Sequence, residues 1–568
     1  MFIRKKPLYN KKISLQICEN RRENGKTLQR VLRHVGTADK DDVEAIEKLS
    51  HAATFLKKEL ENENRKKELT TAPELPFTIP ENKLSSKPLL VEMPPQHKVD
   101  EDDREHHWVD TAKLIERARV VDGIHAIFGT ILDKFGLETI LGRRQYNMLR
   151  NIIMARIAWP SSKLRASENL AKHFNVDLPV HKIYRLMDAL EEQSSTVQAA
   201  LFNALRPLIG EKVEVLFFDV TTLYIESEDE DELRRFGFSK DQKTHLTQVV
   251  LALATTQDGL PIGYKLFPGN TAETSTLLQA ITEWRNMMNI EQVTIIADRA
   301  MMSEANMKLL EESQLKYVIA AKLKALPKRL QETILSRTNE RVIFHNDEET
   351  VTVQEHNYEG RRLIVSHNTK RARKDARDRE QILKKLKARI GEKGSTKKLV
   401  TNRGYLAVVS EEGNSEVTID EVKVAAVARW DGLHGVLTNL SEINHEQILA
   451  LYRRLWVIEE SFRVNKHTLE MRPIYHYVSR RIQAHILISY IAFTLCRYVQ
   501  KRIAMQQEQM SIERIRSALI DVQHSILQHE DTQCMYRLPS KMPTEARCIY
   551  GVFNVKRDKY ITKVWCLN

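Results

Sequence analysis

The stretch Val215-Leu-Phe-Phe-Asp-Val-Thr-Thr-Leu-Tyr-Ile sets a single carboxylate, Asp219, inside an apolar, β-branched and aromatic run. Composition of that kind predicts a central strand. An isolated carboxylate there is costly unless a cation or hydrogen-bond donors compensate it. Asp219 therefore either serves a local bond to Thr221 or Thr222 or holds a positive partner.

The segments around it continue the pattern. Strands are expected over 213–225, 246–255, 261–267, 293–297 and 316–320, with helices over 272–288 and 303–313. Hairpin strands followed by βαβ units imply a mixed sheet flanked by helices. Val293-Thr-Ile-Ile-Ala-Asp-Arg repeats the first motif, with Asp298 at the carboxyl end of its strand. Ligand sites in open α/β sheets form outside such strand ends. Between 340 and 430 further alternating runs, among them Val424-Ala-Ala-Val, suggest a β-rich insertion interrupted by a basic helix from Thr369 to Ile390. Helices resume at 444–470 and 478–505.

The third acidic candidate comes from helical phase. Ile448, Leu451, Tyr452, Leu455, Phe462 and Leu469 form an apolar stripe. Glu459 falls two turns after Tyr452 on that stripe and Lys466 two turns further, whereas Glu460 is rotated toward solvent. Three carboxylates, Asp219, Asp298 and Glu459, suffice to hold two Mg²⁺ or Mn²⁺ ions roughly 3.5–4 Å apart, an arrangement that activates one phosphoryl oxygen and stabilises the leaving one. No GxxxxGK[ST] loop, HExxH pair or nucleophile elbow offers another chemistry.

Length and charge frame the rest. A chain of 568 residues exceeds one core. Its net charge of +12 favours a polyanionic partner through counterion release. Five scattered cysteines without a CxxC pair argue against a disulfide framework or zinc module and for a reducing, cytoplasmic setting. The run Ala484–Cys496 is too short for a membrane span and reads as a buried helix, so no membrane partner is expected. The organisation expected is a small basic β-hairpin unit with a charged helix over 1–67 and a Pro-rich linker over 68–106. A helical DNA-binding domain follows over 107–210. A catalytic core over 211–325 and 440–480 encloses the insertion at 326–439, and a helical or mixed region closes the chain over 481–568. Within 107–210, a helix capped by Ser167 and a second carrying Ile183, Tyr184, Met187 and Leu190 have helix-turn-helix spacing, which also fits a plain αα-hairpin. The acidic run 226–232 reads as a solvated loop, and Glu273 as a helix-start residue with Asn270.

The stretches FFDVTTLYIE (217–226), LRRFGFSKD (233–241), GLPIGYKLFPGNTAET (259–274), IIADRAMMSEAN (295–306) and YRRLWVIEESFRVNKHTLEMRPIYH (452–476) together resemble the insertion-sequence DDE transposases. Within these they resemble the group with a β-rich insertion before the last carboxylate and a Tyr-Arg-Glu-Lys signature around it. The resemblance implies a ribonuclease H-like core and a metal-binding triad of Asp219, Asp298 and Glu459. It implies phosphate contacts by Tyr452 and Lys466, to which Arg299 and Arg463 are added as DNA-binding candidates. The signature arginine falls at Leu455, leaving Arg454, or its neighbour Arg453, to supply the charge. The implied partner is double-stranded DNA, as terminal inverted repeats and target, engaged by a homodimer in a cytoplasmic, nucleoid-associated setting. Cut-and-paste transposition is the expected reaction. A structure-specific nuclease on the same fold and a catalytically inactive DNA-binding derivative are the alternatives.

Overall fold

The computed structural model describes residues 2–7, 12–23, 26–39, 42, 90–92, 108–210, 213–238, 245–288, 293–301, 303–390, 406–411 and 414–565. The charged helix expected up to Lys67 and nearly all of the Pro-rich linker lie outside these residues. The chain divides into two compact units, Met1–Lys87 and Pro88–Asn568.

In the first unit β1 (Phe2–Pro7), β2 (Lys12–Glu23) and β3 (Lys26–Asp39) form an antiparallel sheet in that order. Leu15 and Cys18 are fully buried in it.

In the second unit, after a short antiparallel pair of Leu90–Glu92 with Trp108–Asp110, comes β4 (Leu114–Val121), where the sequence predicted helix. Helices follow as α1 (Arg143–Ala158), α2 (Lys163–Phe174), α3 (Val180–Leu190) and α4 (Ser194–Ile209). Ser162, not Ser167, caps α2 by accepting from the Arg165 N–H. The Ser167 hydroxyl instead donates to the Leu178 carbonyl and ties down the turn between α2 and α3.

The centre of the unit is built from β5 (Val215–Tyr224), β6 (Gln248–Thr255), β7 (Pro261–Pro268), α5 (Glu273–Met288), β8 (Thr294–Ala297), α6 (Glu304–Glu312) and β9 (Lys316–Ala320). Next come α7 (Lys328–Ser336), β10 (Arg341–His345), β11 (Thr350–Tyr358), β12 (Arg361–Asn368), α8 (Thr369–Ile390), β13 (Leu406–Glu411), β14 (Asn414–Ile419), α9 (Glu421–Ala428) and β15 (Leu433–Thr438). The strands β10–β12 and β15, expected in an insertion of their own, extend the central sheet. Nine strands run in the order β10-β11-β12-β15-β9-β8-β5-β6-β7. The join is β15, antiparallel to both β9 and β12. Of the strands assigned to the insertion, only the β13–β14 hairpin stays outside that sheet. The run Val424-Ala-Ala-Val, expected as strand, lies in helix α9, which Asp420 caps by accepting from the Lys423 N–H.

Side-chain alternation splits the sheet into two buried faces. Leu216, Phe218, Val220, Ile295 and Ala297 pack with Leu277, Ile281 and Trp284 of α5. Phe217, Leu223 and Ile296 face the other core, with the N-terminal helices and the helices after β15. Those later helices are α10 (His445–Arg453), α11 (Trp456–Arg463), a π-turn over Val464–Thr468, and the 26-residue α12 (Ser479–Ala504). The last is long and apolar enough to cross a membrane, yet it lies in the core against α1, α3 and α4, as the sequence predicted. The chain ends with α13 (Ile512–Ile520), β16 (Gln523–His529), β17 (Met535–Pro539), α14 (Thr544–Phe553) and β18 (Thr562–Trp565), whose strands form a small sheet in the order β18-β17-β16-β4. Cys18, Cys496 and Cys548 are free thiols, but Cys534 is disulfide-bonded, against the expectation of unpaired cysteines.

Candidate functional site

Strand register brings the two aspartates together. β8 runs parallel to β5 with Ala297 opposite Phe218, so the next residues, Asp298 and Asp219, are neighbours on adjacent strands. Their separation is therefore about one strand spacing, roughly 5 Å between backbones. Both occupy the alternation phase of Phe217 and Ile296, on the face covered by α10 and α11. Each is half-buried and accepts the N–H of its successor: Val220 N–H donates to Asp219 Oδ1 and Arg299 N–H to Asp298 Oδ1, both at 2.7 Å.

Glu459 reaches this face by a route the sequence did not show. The helix is not continuous through 444–470. α10 ends at Arg453, a turn intervenes, and α11 starts at Trp456. The interruption resets the phase, so Glu459 is exposed rather than buried in the stripe. Glu460 is the half-buried one, paired with Arg497 at 3.4 Å. With Asp298, Glu459 lines a cavity of about 1130 Å³ whose walls also include Arg299, Arg371, Tyr452 and Arg453. Asp219 is not among its lining residues.

Tyr452 senses both carboxylates. Burial first, then the charges of Asp298 and Glu459, raise its phenol above the ordinary value, so at neutral pH it keeps a proton to donate. The His434 ring lies 4.9 Å from the Tyr452 ring, and burial, followed by the charge of Arg371, pushes this imidazole down to about 4.

The remaining candidates divide. Lys466 sits in the π-turn and donates to the Thr221 hydroxyl, two residues beyond Asp219 on the same side of β5. Arg454 turns away and donates to Gln257 at 2.9 Å, at the β6–β7 turn, whereas Arg453 enters the cavity. Arg463 is exposed at 3.8 Å from Glu460 and does not line the cavity. Trp456 is 58% exposed at the cavity wall.

Sequence reasoning missed His434, whereas Arg371 lies in the basic helix that the sequence singled out. Arg371 belongs to the basic helix α8, whose early turns close the cavity through Arg371 and Arg379. The latter is held by Asp431 at 2.5 Å. In the acidic run, Asp231 has a structural role. Burial opposes ionisation, but bonds from the Arg234 and Leu233 backbone, the Arg234 guanidinium and Ser479 hold its carboxyl at about 2.

Carboxylate oxygens are the donors a hard divalent cation takes, and Asp219 beside Asp298 offers two on one face. Among the described residues, no three His, Cys, Asp or Glu side chains are gathered as a ready metal-binding group. Glu459 stands on the helical wall instead.

A family model described as the transposase DDE domain matches residues 211–495, half of the chain. The chain belongs to the DDE transposases. A second model, the N-terminal domain of IS1634 family transposases, matches residues 3–66 of this transposase. Its enzymatic work is therefore DNA cleavage and strand transfer. No curated protein matches the sequence. Among solved structures, a piggyBac transposase synaptic complex with hairpin DNA aligns at 10% identity over 70% of this chain and 76% of that one, with a TM-score of 0.35. A Mos1 transposase paired-end complex with the left transposon end aligns at 11% identity over 28% of this chain and 53% of that one, with a TM-score of 0.14.

Proposed function

We propose that this transposase performs cut-and-paste transposition of an insertion sequence, with Asp219, Asp298 and Glu459 as metal-binding carboxylates on a ribonuclease H-like core. The observation that carries the reading is the register of β5 and β8, which sets two aspartates side by side on the face that the Glu459 helix covers. Magnesium or manganese, as two ions, would supply Lewis-acid activation of water and of the leaving oxygen. The transposase's own side chains bind and orient the strand. Arg299, Arg371 and Arg453 present positive charge to the phosphates along one cavity. The protonated Tyr452 donates to a phosphate oxygen, and Lys466 holds charge beside β5.

The helical region over 107–210 and the basic N-terminal unit contact the inverted repeats at the ends of the element. Two copies of the chain synapse those ends, and the freed 3′-hydroxyls join target DNA in the cytoplasm. The supports are the basic balance of the chain and the family match.

The test uses a labelled duplex taken from the chromosomal sequence flanking the gene, with Mg²⁺ or Mn²⁺ as the added ion. Asp219→Asn, Asp298→Asn and Glu459→Gln should each lower the cleavage rate about 1000-fold, the size of several kcal/mol of lost charge stabilisation, while binding persists without metal. Wild-type cleavage by any one of them removes that residue from the site. Cleavage without joining to a second duplex would favour a nuclease instead.

A further inference from the structure

The segment just after the π-turn is held in an unusual way. Four consecutive backbone carbonyls each accept a hydrogen bond from a side chain of a distant element. Arg516 of α13 donates to Thr468 O at 3.0 Å. Arg156 of α1 donates to Leu469 O at 2.8 Å and to Glu470 O at 3.3 Å. His485 Nε2 of α12 donates to Met471 O at 3.0 Å, and its Nδ1 faces Lys163 Nζ of α2 at 3.1 Å. That orientation fixes the tautomer: Nε2 carries the proton and Nδ1 accepts from the lysine. The Thr468 hydroxyl adds a bond to Glu513 at 2.6 Å.

Arg156 and Lys163 are both 3% exposed, and neither forms an ion pair among the described residues. Burying such groups without a counter-charge is unfavourable: burial lowers the pKa of Arg156 and holds that of Lys163 well below its ordinary value, and an apolar pair would stabilise the core at lower cost. Arg156 grips the backbone three and four residues beyond Lys466 directly, and Lys163 acts on the carbonyl five residues beyond it through His485.

We infer that Arg156, Arg516 and the Lys163–His485 pair are positioning residues, a clamp that fixes the end of the π-turn and thereby aims Lys466 at the β5 face. π-Turns lack the regular i→i−4 ladder and are common at functional sites. Here the last carbonyl of the turn, Thr468 O, which a helix end leaves without an intrahelical partner, and the three carbonyls after it are satisfied from outside. The clamp draws on α1, α2, α12 and α13, so the helices before β5 and after the signature converge on the backbone that follows Lys466. This inference rests on the reading that Lys466 serves the DNA reaction.

The experiment is a double-mutant cycle on the full chain, with single-turnover cleavage of the flanking-sequence duplex as readout. Arg516 is half-buried, so Arg516→Ala tests the clamp with the smallest risk to folding. Arg156→Ala and the conservative Arg156→Lys form the second series, with thermal midpoints measured for all. Arg516→Ala should cleave about 10- to 100-fold more slowly, the scale of a misplacement near 1 Å, with DNA affinity changed less than the rate. Arg156→Lys should recover part of what Arg156→Ala loses. In a Lys466→Ala background, Arg516→Ala should cost nothing further, because its effect runs through the lysine. The clamp is overturned if Arg516→Ala cleaves like wild type, or if its loss adds in full to that of Lys466→Ala. Wild-type cleavage by Lys466→Ala would instead overturn the reading of that lysine.

Discussion

His476 is buried and His125 half-buried, neither with a carboxylate bonded to its ring, and burial pushes His125 down to about 4 and His476 to about 3. In the unfolded chain a histidine titrates near 6.5. Between pH 6.5 and 4 the unfolded chain therefore takes up protons that the folded imidazoles refuse, so stability is complete above pH 6.5 and falls as acid is added. The slope is at most about 1.4 kcal/mol per pH unit for each histidine. Asp231 and Glu355 are each held at about 2, Asp231 by bonds from Arg234 and Glu355 first by Arg362, so their contributions fade only below pH 4. Urea midpoints should drop steadily from pH 7 to pH 4.5, and a flat profile would contradict neutral burial of the two imidazoles. At the same scale, the structure separates two adjacent arginines. Arg453→Ala should slow cleavage tenfold or more, the worth of about 1.4 kcal/mol, whereas Arg454→Ala should leave it within twofold.

Elements carry the next set of consequences. The break between α10 and α11 puts Leu455, the position of the signature arginine, 8% exposed in the core beside Ile458 and Phe462. Leu455→Arg should therefore not restore a family contact. It should cost about 3 kcal/mol or more, because it buries an unpaired charge in a packed core, and a denaturation curve would show it directly. The β6–β7 turn packs on α11: Gly259 sits at φ +76°, and a Cβ there would lie 3.2 Å from Val457 Cγ1, so a side chain would be strained. Gly269 has a sharper constraint, since a methyl there would meet the carbonyls of Gln248 and Arg235 at 2.1 and 2.4 Å. Gly269→Ala should lower the thermal midpoint and loosen the loop carrying Asp231 and Arg234, while a wild-type midpoint would show that the turn can give way. These contacts pack the loop stretch LRRFGF against the turn stretch PGN.

For the whole molecule, one nine-stranded sheet is the organising fact. Its two faces are buried in separate cores, and the strands after α7 lengthen it instead of forming a domain beside it. The cavity therefore lies where the lengthened half, through β15 and α8, meets the helices that carry Tyr452 and Glu459. A site lined by arginines from several elements should bind DNA with a steep salt dependence. The logarithm of affinity should fall with the logarithm of salt by about 0.9 for each phosphate neutralised. Replacing Arg371 or Arg453 should each reduce that slope by about one, and an unchanged slope would place the DNA elsewhere.

The sequence by itself determined the strands and helices around both aspartates, because apolar runs and their periods are local signals. It also determined the buried α12 and, through its motifs, the family and the three acidic candidates. Tertiary structure alone decided the rest. The pairing of Asp219 with Asp298 depends on parallel register between strands far apart in the chain. The exposure of Glu459 depends on a helix break that no periodicity records. The merging of the insertion into the central sheet depends on β15 finding β9 as a neighbour. Arg156, Lys163 and His485 looked like ordinary helix residues, since what distinguishes them is the set of carbonyls they meet, and such meetings are fixed by long-range packing rather than by local composition.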